Sequence, residues 1–315
     1  MPKYIAKRIL VAIPVLLGIT IIDYALCSAA GSPLAMMMTA RTSAGALEQR
    51  AVLMGLDQPV YIQYLIWLGQ VLQGNLGTSY KTFEPVSQMI ASHIGPTLLL
   101  MGVSLLVSLL ISLPAGIYSA TRQYSKGDYV VVGGSFLASG VPSFFLALLL
   151  IYVFTVRLGW LPSSGMTTLG AGGGFWDVAQ HMVMPVIVLA VGMAGTNVRY
   201  FRSAMLEILQ KDYLRTARAK GIGHFKVINK HALRNALLTV ITVIGMEIPV
   251  LFGGAVVVEQ VFSWPGLGLL TMSAINSRDY PVIMGVCLFS AVVVLIGNLV
   301  TDILYAVADP TIQLK

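Results

Sequence analysis

The chain has 315 residues, of which 57% are hydrophobic and 10% charged, with a mean hydropathy of +0.82. An average soluble domain is roughly 25% charged, so this composition cannot cover a water-facing globule, and it excludes an ordinary cytosolic enzyme, a nucleic-acid binder and a disordered chain. The net charge of +7 sits on basic residues beside apolar segments, which fits a lipid bilayer with an anionic inner leaflet rather than nucleic acid as the partner.

A helix needs about 20 apolar residues to cross a bilayer. Six runs meet that need, at residues 9–30, 97–120, 130–156, 182–198, 237–258 and 282–306. The expected fold is an all-α membrane protein with six transmembrane helices. The first run is too long for a signal-peptide core and no convincing small-residue cleavage site follows it, so it reads as an uncleaved span. Residues 1–96 then form an N-terminal span plus outer loop, and residues 97–315 a five-span core. With the N-terminus inside, 15 of the 20 Lys and Arg fall on inner segments and 5 on outer ones. That asymmetry places both termini in the cytoplasm. Pro14, Pro114, Pro142, Pro185 and Pro249 lie within five of the runs and predict kinks.

In the first outer loop, residues 59–76 are too polar to span. Gln63, Gln70 and Gln73 share one helical stripe, and Tyr61, Tyr64 and Trp67 favour an interface. An amphipathic helix against the membrane or the bundle is expected there. A turn at Gly74, Asn75 and Gly77 follows, then a short helix from Glu84-Pro85 to about His93. The glycines at 170 and 172–174 belong to a flexible second outer loop; no Lys-Ser/Thr follows them, so they make no phosphate cradle. The third outer loop carries FSWPGLG at 262–268, where Pro265-Gly266 turns the chain and Phe262 and Trp264 can wedge against the bundle.

Nine of the 20 basic residues fall in residues 199–236. Met205, Ile208 and Leu209 share a helical face, which Leu214, Ala217 and Ala219 continue. Gly221 and Gly223 end that helix, and a second runs from about 225 to 236. Such a charged helix–glycine–helix block stays on the inner side, and it reads as a docking element for a soluble partner. Within the runs, Asp23, Glu247 and Asp302, with Asn298 one turn before Asp302, need an account, because ionisable groups are costly there. Glu247, Asp302 and Asn298 are candidates to line a translocation path, Glu247 being the deepest, and the many small residues suit a roomy path. Cys27 and Cys287 read as small buried hydrophobes, able to pair only if the first and last spans touch. His93, His181, His224 and His231 fit no ligand spacing, so no metal site is expected. The chain holds no Walker motif, GxSxG elbow or HExxH pair, and no catalytic residue is assigned.

Arg215-Thr216-Ala217-x-x-x-Gly221, followed by HALRNALL at 231–238, resembles the EAA loop of ABC importer permeases. DYLRTARAKG and HALRNALL look like the dipeptide, oligopeptide and nickel branch, as do FSWPGLG, the N-terminal KYIAKRILVAIPVLLGIT, LDQPVYIQYLIWLGQVLQGNLGTSY and DILYAVADP. Arg215 stands where the general pattern has Glu, and Thr239 follows Leu238 where a Leu-Pro step is common. The resemblance implies a coupling helix near Gly221, seated in a groove of an ATP-binding subunit. It makes Arg215, Thr216, Ala217, Lys220, Gly221, Gly223, His231 and Asn235 the candidate ATPase-coupling residues. It further implies a second permease subunit, two ATP-binding subunits that hold the ATP, an extracytoplasmic substrate-binding protein, and the cytoplasmic membrane of a bacterium or archaeon. The chain itself would need no cofactor. Peptides are the expected cargo, with nickel as the alternative. A stand-alone secondary transporter is disfavoured, because the sequence carries no clear inverted repeat.

Overall fold

A computed structural model describes residues 2–31, 52, 57–170, 173–223, 226–233, 243–245, 247 and 255–308. Among them the secondary structure is helical, apart from an isolated bridge between Thr78 and Pro85. In chain order the helices are α1 (Pro2–Ala29), α2 (Val60–Leu72), α3 (Val86–Thr121), α4 (Lys126–Gly140), α5 (Ser143–Leu150), α6 (Phe175–Leu209), α7 (Asp212–Ala219), α8 (Val256–Val261), α9 (Leu267–Ser277) and α10 (Tyr280–Ala308). Two π-helical stretches join them, Ile151–Arg157 continuing α5 and Val227–Ala232 following α7.

Four helices among the described residues are long and apolar enough to cross a membrane, and a fifth results if a bent pair counts as one. That pair is the third apolar run. It is not one straight helix: α4 and the segment from Ser143 to Arg157 meet at 93°. The cause is local, since Pro142 forces Val141 into extended backbone (φ −76°, ψ 123°), which ends α4 at Gly140. Two helices are much longer than their apolar runs. The short helix expected from Glu84 to His93 is instead the first turns of α3, which continues through Pro96. The Pro96 carbonyl accepts a hydrogen bond from Trp264 Nε1 (2.9 Å), which ties the FSWPGLG segment to α3 at this point. The fourth run lies inside the 35-residue α6. Of the fifth run, only residues 243–245, 247 and its last residues are described.

α3 and α6 pack along each other, with α4 against α6 and α1 against α10. Small residues make the close approaches. Ser104, Ser108 and Ser112 recur every four residues along α3, all fully buried, and Asn197 of α6 donates to Ser108 Oγ (3.3 Å). A Cβ on Gly116 would lie 2.7 Å from Phe201 Cβ, and one on Gly195 2.7 Å from the Ser135 carbonyl oxygen. Here the small residues serve helix approach rather than an open path. The amphipathic α2 lies on the outer half of α1: Thr20 Oγ1 meets Tyr64 Oη at 3.0 Å, and Tyr24 Oη donates to Gln63 Oε1 at 3.0 Å. The aromatic rings of Tyr24, Tyr64 and Trp67 cluster beside these bonds.

Candidate functional site

Over its described residues the basic hairpin at 199–236 is helical, but only part of the expected apolar face is buried: Ala219, expected to continue it, is exposed. On α7, Leu214 and Ala217 are buried, while Arg215 and Thr216 on the opposite face are exposed. Thr216 Oγ1 donates to the Asp212 carbonyl (3.1 Å), and Arg215 reaches Asp212 at 3.6 Å in open water. The helix stops where Gly221 takes φ +76°, a left-handed cap conformation that favours glycine. Lys220, Gly221 and Gly223 are exposed around this turn. Val227 and Ala232 of the following π-helical stretch join Leu214, Ala217, Met205 of α6 and Ala120 of α3 in one buried cluster. The hairpin is therefore a packed unit seated on the inner ends of α3 and α6. Arg215, Thr216, Lys220, Gly221 and Gly223 come together on its solvent side. Ala217 does not; it lies underneath, 8% exposed. His231 falls in the π-helical stretch, and Asn235 lies outside the described residues.

An ion pair built on a buried carboxylate backs the hairpin. Arg202 of α6 donates through Nε to Asp128 Oδ1 (2.9 Å) and through Nη2 to Oδ2 (3.0 Å). Asp128 also accepts from Ser119 Oγ of α3 and from Tyr124 N (2.9 Å). A bidentate guanidinium–carboxylate pair of this kind fixes orientation as well as energy. One turn away, Arg199 Nη1 donates to the carbonyls of Gly195 (2.7 Å) and Ser135 (3.2 Å), and its guanidinium lies 4.9 Å from the Phe136 ring centre. Both arginines count in sequence only as inner positive charge. In the structure they bind α3, α4 and α6 together at the base of the hairpin.

On the other side of the bundle, the FSWPGLG segment wraps a carboxylate. Glu259 of α8 is fully buried. It accepts from Thr97 Oγ1 (2.9 Å), from Leu269 N (3.0 Å) and from the Gly268 amide. Leu267 N in turn donates to Thr97 Oγ1 (2.8 Å). The carboxylate thus caps the N-terminus of α9, where free amides and the helix dipole favour negative charge. Burial pushes the Glu259 carboxyl up, and these donors pull it back. The glycines of the motif now have a reason: a Cβ on Gly266 would sit 2.4 Å from the Glu259 carboxylate, and one on Gly268 2.7 Å from Val256 Cα. Trp264 and Phe262 are buried, as the sequence predicts.

A second buried carboxylate, Asp279, holds the loop ahead of α3. It accepts from Tyr80 N (2.9 Å), Lys81 N (3.4 Å) and Ser79 Oγ. Burial pushes the neighbouring Tyr80 phenol up to about 12, Tyr24 and Asp279 adding to it. Sequence reading passed over Asp128, Glu259 and Asp279, since each is one acid at a water boundary. The available signal was local: Glu259 stands three residues before FSWPGLG, and Asp128 fits the first turn after the N-cap Ser125.

The intramembrane candidates do not form one cluster. Asp302 pairs with Arg8 of α1 at 2.7 Å. Asn298 is exposed on α10 and Glu247 is half-buried. Thr301, beside Asp302, donates to the Gly245 carbonyl (3.0 Å), which sets the segment of Glu247 against α10. Asp23 is hydrogen-bonded to Cys287, so the first and last long helices do touch, yet both thiols are free. Among the described residues, no group of three or more His, Cys, Asp or Glu could hold a metal ion.

These features define a helical membrane component with a packed basic hairpin exposed at one end of the bundle. A family described as the binding-protein-dependent transport system inner membrane component matches residues 112–314, and its N-terminal companion matches residues 1–101. The chain belongs to this family and is an ABC importer permease subunit, not an enzyme. It is 48% identical over 316 residues to the oligopeptide transport system permease protein AppB of Bacillus subtilis (strain 168), with 99% of this chain and all of the relative covered. It is 38% identical to the di/tripeptide transport system permease protein DppB of Pseudomonas aeruginosa (99% of each chain) and to the glutathione transport system permease protein GsiC of Salmonella choleraesuis (all of each chain). Among solved structures, the fold matches a chain of the MetNI methionine ABC transporter in an inward-facing form. The TM-score is 0.55 at 18% identity, covering 71% of this chain and 97% of that one.

Proposed function

We propose that this chain forms half of the translocation pathway for di- or oligopeptides in an ATP-driven importer, with six spans and both termini in the cytoplasm. A second permease subunit completes the path. One of two ATP-binding subunits grips the exposed turn at Lys220–Gly223, and an extracytoplasmic binding protein delivers the cargo to a bacterial or archaeal cytoplasmic membrane. The observation that carries the cargo reading is end-to-end similarity to permeases named for oligopeptides, di/tripeptides and glutathione. The hairpin supports the coupling role through its geometry. Its exposed face offers Arg215, Thr216, Lys220, Gly221 and Gly223 to a partner, while its buried face rests on α3 and α6. Closure of the ATP-binding subunits would push this lever and rock the bundle between inward- and outward-open states.

The test is uptake in cells lacking the chain. Labelled dipeptide and tripeptide uptake should fall to background and return with the wild-type gene, while nickel uptake stays unchanged. Lost nickel uptake with intact peptide uptake would reverse the cargo assignment.

A further inference from the structure

On the outer side, a recess of about 670 Å³ opens between the loop preceding α3, the start of α3, and α9. Its volume lies in the range of small-ligand sites, roughly 300–1,000 Å³. Met89, Leu269 and Leu270 supply the apolar part of its wall. Its polar rim is Lys81, Glu84, His93, Gln260 and Asn276. Among the described residues, neither Lys81 nor Glu84 has an ion-pair partner, although they stand three residues apart on one loop. His93 Nδ1 donates to the Met89 carbonyl (2.7 Å), which leaves Nε2 as an acceptor on the neutral ring.

Both walls are stiff. Asp279 clamps the Lys81 loop through the amides of Tyr80 and Lys81, and Glu259 clamps α9 through Leu269 N. Within that loop Phe83 is held at φ +60°, its amide donating to the Ser79 carbonyl (3.1 Å). A non-glycine residue stays in that conformation only where its surroundings fix it. Two buried carboxylates thus fix a loop and a helix around a polar recess whose rim exposes one cation, Lys81, and one anion, Glu84.

We propose that this recess is a subsite for a free short peptide on the outer side, Lys81 taking the terminal carboxylate and Glu84 the terminal ammonium. The idea rests on the peptide reading above and adds a location and a mode of recognition to it. Gln260 and Asn276 present the paired donor and acceptor that a peptide backbone needs, and the apolar wall accepts varied side chains. Charged side chains of a docking protein would meet the same two residues, so competition by an end-blocked peptide is what separates the two occupants.

The probe is alanyl-photoleucyl-alanine, irradiated with the assembled importer in nanodiscs without its binding protein, and the labelled peptides are mapped by mass spectrometry. Labelling should fall on residues 81–93 or 260–277. It should be competed by free trialanine and at least fivefold less by its N-acetyl, C-amide form. The doubly substituted Lys81→Gln, Glu84→Gln importer, checked for subunit co-purification, should label at least fivefold less. Labelling absent from these segments, or competed equally by the blocked peptide, overturns the proposal. So does a double variant that labels normally but has lost affinity for the binding protein, which would make the recess a docking surface. Peptide uptake by wild-type cells without labelling at the recess sinks the subsite alone, whereas absence of peptide uptake sinks the cargo reading beneath it.

Discussion

Glu259→Ala should destabilise the importer more than any neighbouring substitution, and the magnitude follows from the donors that it abandons. Glu259 is fully buried and receives Leu269 N, the Gly268 amide and Thr97 Oγ1. The threonine hydroxyl can rotate toward another acceptor, but the two amides cannot. Each orphaned buried donor costs about 1–3 kcal/mol, so the pair costs about 2–6 kcal/mol. For a domain of this size that is a fall of roughly 5–15 °C in apparent melting temperature. Glu259→Gln keeps one carbonyl oxygen but turns an amide NH₂ toward a donor, and should lose about half as much. The assay is thermal unfolding of the purified assembly followed by tryptophan fluorescence, since Trp264 packs beside the site. Gln260→Ala, exposed one residue later, is the control. If Glu259→Ala melts within about 2 °C of that control, the carboxylate is not what holds the FSWPGLG turn on α9.

The same accounting covers the other clamps and contacts. Arg202→Met should cost about 3 kcal/mol, because it leaves the buried Asp128 carboxylate uncompensated, and Asp128→Ala less, because Arg202 is partly exposed; the double variant should cost clearly less than the sum, read as a double-mutant cycle in denaturant unfolding. Gly195→Val should block assembly, because even a Cβ would lie 2.7 Å from the Ser135 carbonyl; co-purification of the ATP-binding subunits reads it. Ala217→Glu should unseat the hairpin and expose residues 199–236 to limited proteolysis, because that side chain is buried. Gly221→Trp, on the exposed turn, should leave proteolysis unchanged and lower the ratio of uptake to ATP hydrolysed at least fivefold.

Much of the architecture was written in apolar run lengths, and the departures have physical causes. A hydropathy run reports what can sit in lipid, not where a helix ends. α3 begins eleven residues before its run and α6 extends eleven residues beyond the apolar part of its own, because a helix continues into water wherever neighbours cover one side. The 93° break in the third run was hinted at by Pro142, yet proline alone does not separate a kink from a fold-back: α3 passes through Pro96 and Pro114 unbroken. The difference lies in residue 141, which the structure leaves extended. At the hairpin, the exposed face of α7 was legible from its spacing, and so was the glycine stop. That Ala217 belongs to the buried side was also in the period, three residues after Leu214. It was obscured by reading the motif residues as one contact surface.

The acids were the least legible part, for one common reason. Topology arguments weigh Lys and Arg and nearly ignore Asp and Glu, so an acid at a boundary looks like solvent-facing filler. Asp128, Glu259 and Asp279 are each at most 3% exposed, and each is saturated with donors from elements distant in sequence. A buried carboxylate that collects backbone amides is costly to displace, since every donor would be orphaned at once. Asp128 ties α3, α4 and α6 together beside the hairpin, so under the proposed coupling these helix ends would respond together to a force on it. Glu259 and Asp279 hold the outer loops against the bundle when it moves. If the proposed lever operates, it needs such fixed points at both ends of the bundle, where helix ends would otherwise fray and absorb the push.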